Sequence, residues 1–175
     1  MNKVFTGFCI LFSLINYNLY SQNKLDDYKR LIDSTIVIKS VETYRDFQGE
    51  LNKKNETDNW KNYIADYKHH IENIYLIDNN NQAYLMPMSK DIEIKFKQID
   101  IYNKKNKKLL KEGIDVWKII PNLENNQLKT TIINFKVTCS KNKYQFANGG
   151  GTTTIFEYSC EQKKWILISS TTTAP

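Results

Sequence analysis

The stretch Ile133-Asn134-Phe135-Lys136-Val137-Thr138-Cys139 alternates apolar and polar side chains, and it closes a longer run that begins at Leu128. A period of two residues places alternate side chains on opposite faces of a β-strand. We therefore predict a long strand over Leu128–Cys139, with Ile133, Phe135, Val137 and Cys139 on one face.

The flanking sequence carries more strand signals. Two β-branched and aromatic runs, Thr152–Cys160 and Trp165–Thr171, are separated by a short charged turn, which is typical of a hairpin. Shorter strand signals cover Ile74–Ile77, Ala83–Met86, Ile92–Phe96, Ile114–Ile120 and Tyr144–Ala147. We expect Pro121 to end the strand before it.

Helical signals come first in the chain. Apolar residues recur at helical spacing from Leu25 through Val41 and Tyr44, and again over Asn59–Ile71. Residues Lys107–Lys111 are consistent with one helical turn stopped by Gly113. Helices followed by a run of strands indicate an α+β fold, with N-terminal helices packed on a curved antiparallel sheet, or meander.

The N-terminus has the order of a secretory signal peptide. Lys3 precedes the apolar run Val4–Ile15, and Ser21 offers a small residue for cleavage. The run is shorter than the roughly 20 apolar residues of a membrane span. Phe8 before Cys9 argues against lipidation. We predict a signal segment over 1–21 and a single exported domain over 22–175, periplasmic or secreted.

The net charge of +6 comes from 25 Lys and Arg against 19 Asp and Glu. Arg occurs only at Arg30 and Arg45, and Arg supplies the bidentate contacts typical of nucleic-acid recognition. We therefore expect no nucleic-acid partner. One dense basic run contains Lys104, Lys105, Lys107, Lys108 and Lys111. It is either a solvated surface or a contact for an anionic surface such as lipid headgroups.

Two cysteines, Cys139 and Cys160, follow the signal segment. In a simple hairpin they fall at opposite ends of the ladder, too far apart for a disulfide. A short extra strand at Tyr144–Ala147 brings them nearer. A disulfide in an oxidising compartment and two free thiols therefore both stay open.

The glycine run Asn148-Gly149-Gly150-Gly151 is the most unusual local feature. It fits a strand connection that needs positive φ or a bulge, or a backbone rim that a ligand approaches closely. We predict weak ligand contacts from these residues and from Tyr158 and Trp165. The aromatic side chains Trp117, Tyr144, Phe156, Tyr158 and Trp165 either line a pocket on the sheet or fill the core.

No catalytic residue, metal ligand or cofactor is predicted. His69 and His70 are sequence neighbours that do not share a helix face, although one of them could join Asp66 or Glu72. The acidic residues Asp91, Glu93 and Asp100 are candidates for paired carboxylates, but alternation assigns the first two to a solvated face.

The C-terminal third resembles small uncharacterised exported bacterial proteins. The residues that carry this resemblance are Val116–Pro121, Ile133-Asn134-Phe135, Tyr144–Gly151 and Phe156–Cys160. The order of elements also resembles cystatin-like and NTF2-like folds. Neither resemblance implies an activity.

We therefore expect an exported non-catalytic binding module for a protein or a small molecule. The alternatives are a small NTF2-like pocket enzyme, either a hydrolase or an isomerase, and a secreted enzyme inhibitor. A concave pocket with a buried carboxylate or histidine would favour the enzyme.

Overall fold

A computed structural model describes residues 3–53, 57–87 and 92–174, with side chains from residue 26 onward. The chain forms two compact units, Met1–Ser34 and Thr35–Pro175. Helix α1 (Lys3–Leu51) supplies the described part of the first unit and continues into the second. The predicted signal segment 1–21 lies in the first unit and stays a prediction.

The exposed surface of the first unit carries short-range ion pairs. Lys29 Nζ lies 2.9 Å from Asp33 Oδ2, and an Arg30 guanidinium nitrogen lies 2.6 Å from Asp27 Oδ1. Pairs at these helical spacings stabilise a helix by a few tenths of a kcal/mol each, ~0.2–0.5. Among the residues described, no helix has the combination of length and apolar composition that crossing a membrane requires.

The second unit packs helices against one five-stranded sheet. After α1 the elements are α2 (Asp58–Ile71), β1 (Ile74–Ile77), α3 (Lys107–Glu112), β2 (Ile114–Glu124), β3 (Gln127–Ser140), β4 (Lys143–Ser159) and β5 (Lys164–Thr173). Strands β2 to β5 are antiparallel and follow one another in the sheet, and β1 pairs with β2 in parallel. This arrangement confirms the predicted α+β class.

Strand β1 departs from the predicted meander because residues 78–113 cross over before β2 begins. Two predicted strands inside this connection do not form. Ala83 forms an isolated bridge with Ile77, and Lys97, the residue after the second predicted strand, forms one with Tyr75, so both bridges lie along the β1 edge. The period-two signal in the second segment reflects burial, since Ile94 is 5% exposed.

Pro121 lies inside β2, so the predicted end of that strand is wrong. The parallel partner β1 pairs with β2 only as far as Lys118. Beyond Lys118 one side of β2 is an edge, where the missing N–H of proline costs no ladder hydrogen bond. The strand therefore continues to Glu124.

A side-chain cap begins α2, and an aromatic contact joins α2 to α1. The Thr57 hydroxyl oxygen accepts a hydrogen bond from the Trp60 amide at 3.3 Å and caps α2. The Phe47 and Tyr67 rings meet edge-on at 5.4 Å and join α1 to α2. Helix α1 ends at Leu51, beyond the predicted Tyr44.

Apolar side chains are buried on both faces of the sheet. One cluster contains Ile77, Ile99, Ile101, Leu110, Ile114, Val116, Val137 and Cys139, so α3 and the segment before it cover one face. The opposite face contributes Trp117, Ile119, Ile132 and Phe156, all buried. Helix α1 lies on that face, because the Lys39 ammonium sits 4.7 Å from the centre of the Trp117 ring.

Candidate functional site

The glycine run lies inside β4, not between two strands. The predicted short strand Tyr144–Ala147 and the later strand are one continuous element, Lys143–Ser159. Two residues of β4, Gly149 and Gly150, oppose the single residue Asn134 of β3, which is a β-bulge. The bulge explains why the apolar alternation breaks at this point.

Backbone geometry accounts for two of the three glycines. Gly150 has φ of 85°, and its amide donates to Asn148 Oδ1 at 2.9 Å. A Cβ at Gly151 would lie 2.6 Å from the Ile132 carbonyl oxygen, whereas a Cβ at Gly149 would come no nearer than 3.6 Å to other atoms. The backbone conformation at Gly150 and the close approach at Gly151 therefore explain these glycines without a ligand.

Tyr158 and Trp165 form a cross-strand pair at the far end of β4 and β5. Their rings meet at 5.6 Å and an interplanar angle of 67°. Seven residues of extended strand separate Tyr158 from Gly151, which is roughly 23 Å. The predicted ligand contacts therefore do not form a single site.

The five aromatic residues considered for a common pocket have separate surroundings. The Trp117 ring packs against Phe96 at 5.3 Å, and the Tyr144 ring packs against Tyr102 at 5.1 Å. Phe156 is 6% exposed. The rings therefore pack at different places in the sheet and do not line one pocket.

The two cysteines are free and lie at opposite ends of the sheet. Cys139 is buried and pairs with Tyr144 beside the β3–β4 turn, whereas Cys160 is exposed and follows the other end of β4. Some fifteen residues of strand separate the two ends, on the order of 50 Å. The possible Cys139–Cys160 disulfide does not fit this register.

The predicted basic run meets the β3–β4 turn. Lys107 and Lys111 of α3 line a cleft of about 440 Å³, the lysine cleft, together with Lys141 and Asn142 of the turn, and Cys139 and Ser140 complete the lining. Lys107 Nζ donates to Asn142 Oδ1 at 2.7 Å, which ties the helix to the turn. None of the lining residues is acidic. Lys104, Lys105 and Lys108 flank the cleft in sequence and are exposed.

The turn itself is unusual in its residues. Lys141 and Asn142 have φ of 50° and 62°. Positive φ at both central positions is the feature of a type I′ hairpin turn, which favours Asn and Gly. A lysine in the left-handed region costs roughly 1–2 kcal/mol relative to the right-handed region. The turn therefore holds the Lys141 side chain at the cleft against a backbone preference.

Lys39 of α1 is buried between the helix and the sheet. It is 4% exposed, and its Nζ donates to Thr152 Oγ1 at 3.1 Å. Burial lowers the Lys39 pKa from 10.5 to about 8, partly offset by the charge of Glu42. The Trp117 ring face supplies a further favourable contact for the ammonium. This contact ties α1 to the sheet next to the bulge.

A polar cluster that the sequence did not reveal joins α2 to the sheet. His70 Nδ1 lies 3.1 Å from Asp115 Oδ2, and Lys136 Nζ donates to the same oxygen at 3.3 Å. Burial alone would raise the Asp115 pKa, but the hydrogen bond and charge of His70 and the charge of Lys136 outweigh it and lower the pKa. An imidazole oriented by a carboxylate is a layout that general bases use.

The remaining candidate histidine and carboxylates that the structure describes do not come together in one site. His69 contacts Asn73, whose Nδ2 donates to the His69 carbonyl oxygen at 2.6 Å. Glu93 is exposed, and Asp100 Oδ1 accepts from the Tyr102 amide at 3.0 Å. Asp91 falls outside the described residues. No group of three or more His, Cys, Asp or Glu side chains within the described part of the chain could hold a metal ion.

An apolar cavity of about 250 Å³ lies beside β1. Its lining includes Leu76, Met86, Ile92, Ile94 and Phe96, with lysine side chains among its polar members. Its walls come from either side of residues 88–91, which lie outside the described part of the chain. The lining of the lysine cleft, by contrast, lies wholly within the described part of the chain.

No protein-family model, curated protein or solved structure matches the chain. The likeness to small exported bacterial proteins and to cystatin-like or NTF2-like folds therefore stays a prediction.

Proposed function

We propose that the protein is an exported, non-catalytic binding module that holds a phosphate-bearing anion in the lysine cleft. The observation that carries the proposal is the convergence of Lys107, Lys111 and Lys141, from two separate segments, on one cleft without an acidic lining residue. Lysine ammonium groups bind phosphate as point charges. Ser140 and Asn142 add polar side chains to the same cleft.

The position of Lys141 supports a binding role. Glycine or asparagine would suit the turn better, and residues in sparsely populated backbone regions concentrate at binding sites. The exposed Lys104, Lys105 and Lys108 extend the positive charge beyond the cleft. The shared chemistry is a phosphate group, either of a small soluble phosphate or of a lipid headgroup.

The test compares the wild-type protein with a triple variant, Lys107→Gln, Lys111→Gln and Lys141→Gln. A matched control removes three exposed lysines elsewhere, by Lys61→Gln and Lys68→Gln on α2 and Lys129→Gln on β3. Binding is measured to phosphatidylglycerol vesicles, to phosphatidylcholine vesicles and to inorganic phosphate. Both variants have the same net charge, so they separate a site from a general charge effect.

Each lysine near an anionic surface contributes about 1 kcal/mol, so the cleft variant should lose on the order of 100-fold in affinity. The control should lose much less. Binding to phosphatidylglycerol vesicles alone identifies a lipid headgroup, and binding to inorganic phosphate identifies a small ligand. Equal losses in the two variants, or no binding to any probe, would overturn the proposal.

Export is tested separately by mass spectrometry of the secreted protein. A mature N-terminus at or near Gln22 supports cleavage after Ser21, and an intact N-terminus on a protein retained in the cell contradicts export.

A second candidate function is a small acid–base enzyme, which the His70–Asp115 pair favours. Neither residue lines the lysine cleft or the apolar cavity. A screen of ester hydrolysis with wild type and His70→Ala distinguishes the two functions. Turnover that His70→Ala abolishes would favour the enzyme, and equal background rates would favour the binding module.

A further inference from the structure

The outer edges of the sheet differ in what covers them. Along β1, the Tyr84 amide donates to the Leu76 carbonyl at 3.0 Å and the Lys97 amide donates to the Ile74 carbonyl at 2.9 Å. Strand β5 ends the strand order and pairs with β4 on one side. Within the part of the chain that the structure describes, no strand pairs with its outer side.

Other uncovered stretches of edge carry protection against pairing. The part of β2 beyond Lys118 contains Pro121, and the part of β4 before Gly151 contains Lys143 and the glycine bulge. Proline, lysine and bulges are common means of blocking edge-to-edge pairing. Strand β5 has its own bulge at Ile168, but the regular stretch beyond it, Ser169–Thr173, contains no charged residue, proline or glycine.

Strand β5 also exposes apolar side chains. Leu167 is 48% exposed and Ile168 is 55% exposed. Ile168 is the extra residue where the register with β4 shifts. Beyond that irregularity, Ser169–Thr173 forms a regular ladder with Gly151–Ile155. A regular, uncharged edge presents backbone N–H and C=O groups at a spacing that another extended chain matches.

We propose that two copies of the protein pair their β5 strands antiparallel across a two-fold axis, which joins their sheets edge to edge. Hydroxyl side chains of β5 already pair with β4, Thr172 with Thr152 at 3.1 Å and Ser170 with Thr154 at 3.3 Å. Cross-strand pairs of Thr and Ser are favourable. A second copy of β5 presents the same side chains, so it continues this ladder.

Charge favours the antiparallel orientation. The chain carries a net charge of +6, so two copies repel each other, and the uncharged β5 edge is a place where they can approach. Antiparallel pairing puts the two Lys164 side chains at opposite ends of the strand pair, roughly 30 Å apart. That separation exceeds the Debye length of about 8 Å at physiological salt, whereas parallel pairing would place the two charges side by side.

The test is sedimentation equilibrium of the full chain over a wide range of concentration, with wild type, Ile168→Lys and Val41→Lys. Ile168 lies near the middle of β5 and outside the β4 ladder, so its replacement should leave the fold intact, as circular dichroism would verify. Val41 is 40% exposed on α1 and provides a charge-matched control away from the sheet. Amide hydrogen exchange of Ser169–Thr173 at low and high concentration gives a second readout.

We expect a reversible wild-type dimer with a dissociation constant in the micromolar to millimolar range, because a strand edge is a small interface. Ile168→Lys should weaken the dimer at least tenfold, and Val41→Lys should leave it nearly unchanged. Exchange at Ser169–Thr173 should slow as concentration rises. A wild type that stays monomeric up to about 1 mM, or a dimer that survives Ile168→Lys, would refute self-pairing.

Discussion

Replacing the buried lysine by Lys39→Met should change how stability depends on pH. The Lys39 pKa is about 8 in the fold against 10.5 in the unfolded chain. Between these values the unfolded state binds more protons than the folded state, so the folded protein gains stability as pH rises. The pKa difference corresponds to roughly 3 kcal/mol, of which roughly 2–3 kcal/mol develops between pH 7 and pH 10.

The assay is urea unfolding at several pH values from 7 to 10 for wild type and Lys39→Met. Other lysines and the tyrosines titrate in both proteins, so they cancel in the difference between the two free energies of unfolding. From pH 7 to pH 10 the free energy of unfolding of wild type should rise by roughly 2–3 kcal/mol relative to that of Lys39→Met. Replacement of an exposed lysine, Lys129→Met, should leave the pH profile parallel to wild type. Parallel profiles for Lys39→Met as well would show that the Lys39 ammonium is not desolvated.

Three further predictions address local geometry. Gly151→Ala should destabilise the protein by roughly 1–3 kcal/mol in thermal unfolding, because the new Cβ would lie 2.6 Å from the Ile132 carbonyl oxygen. Gly149→Ala is the control, and an equal effect there would contradict this reasoning. The lowered pKa of Asp115 stabilises the folded protein at pH values above the ordinary carboxyl pKa, and this stability is lost as pH falls through the lowered pKa. Asp115→Asn removes this contribution, so its free energy of unfolding should depend less on pH in the acid range than that of wild type. Lys141→Asn should raise the free energy of unfolding by up to about 1 kcal/mol, since asparagine tolerates positive φ better, and a decrease would argue against backbone cost at this turn.

Strands with unbroken alternation could be predicted well from the sequence. Strand β3 is an example, because the two faces of Leu128–Cys139 have different surroundings and the side chains alternate with a period of two to match them. The same period predicts two strands in place of β4, because the bulge at Gly149 and Gly150 interrupts it. The sequence contained the reason, three consecutive glycines, but not which backbone would lie opposite them.

The polar contacts depend on tertiary placement that no local pattern contains. Asp115 is in phase with Trp117 and Ile119 on one face of β2, so a charge on an otherwise apolar face was the available signal for a paired residue. Lys39 similarly lies three residues after Ile36, on the inner side of α1. The basic run was visible in the sequence, whereas the contribution of Lys141 required the β3–β4 register.

The parallel pairing of β1 with β2 has a consequence for the order in which the sheet assembles. The β3–β4 turn closes over two residues, whereas β1 joins β2 only after the whole of segment 78–113 has been looped out. Closing a loop of that length costs about 2.5 kcal/mol more chain entropy than closing a two-residue turn. The hairpins from β2 to β5 therefore have the advantage of local nucleation, and β1 docks onto β2 after them.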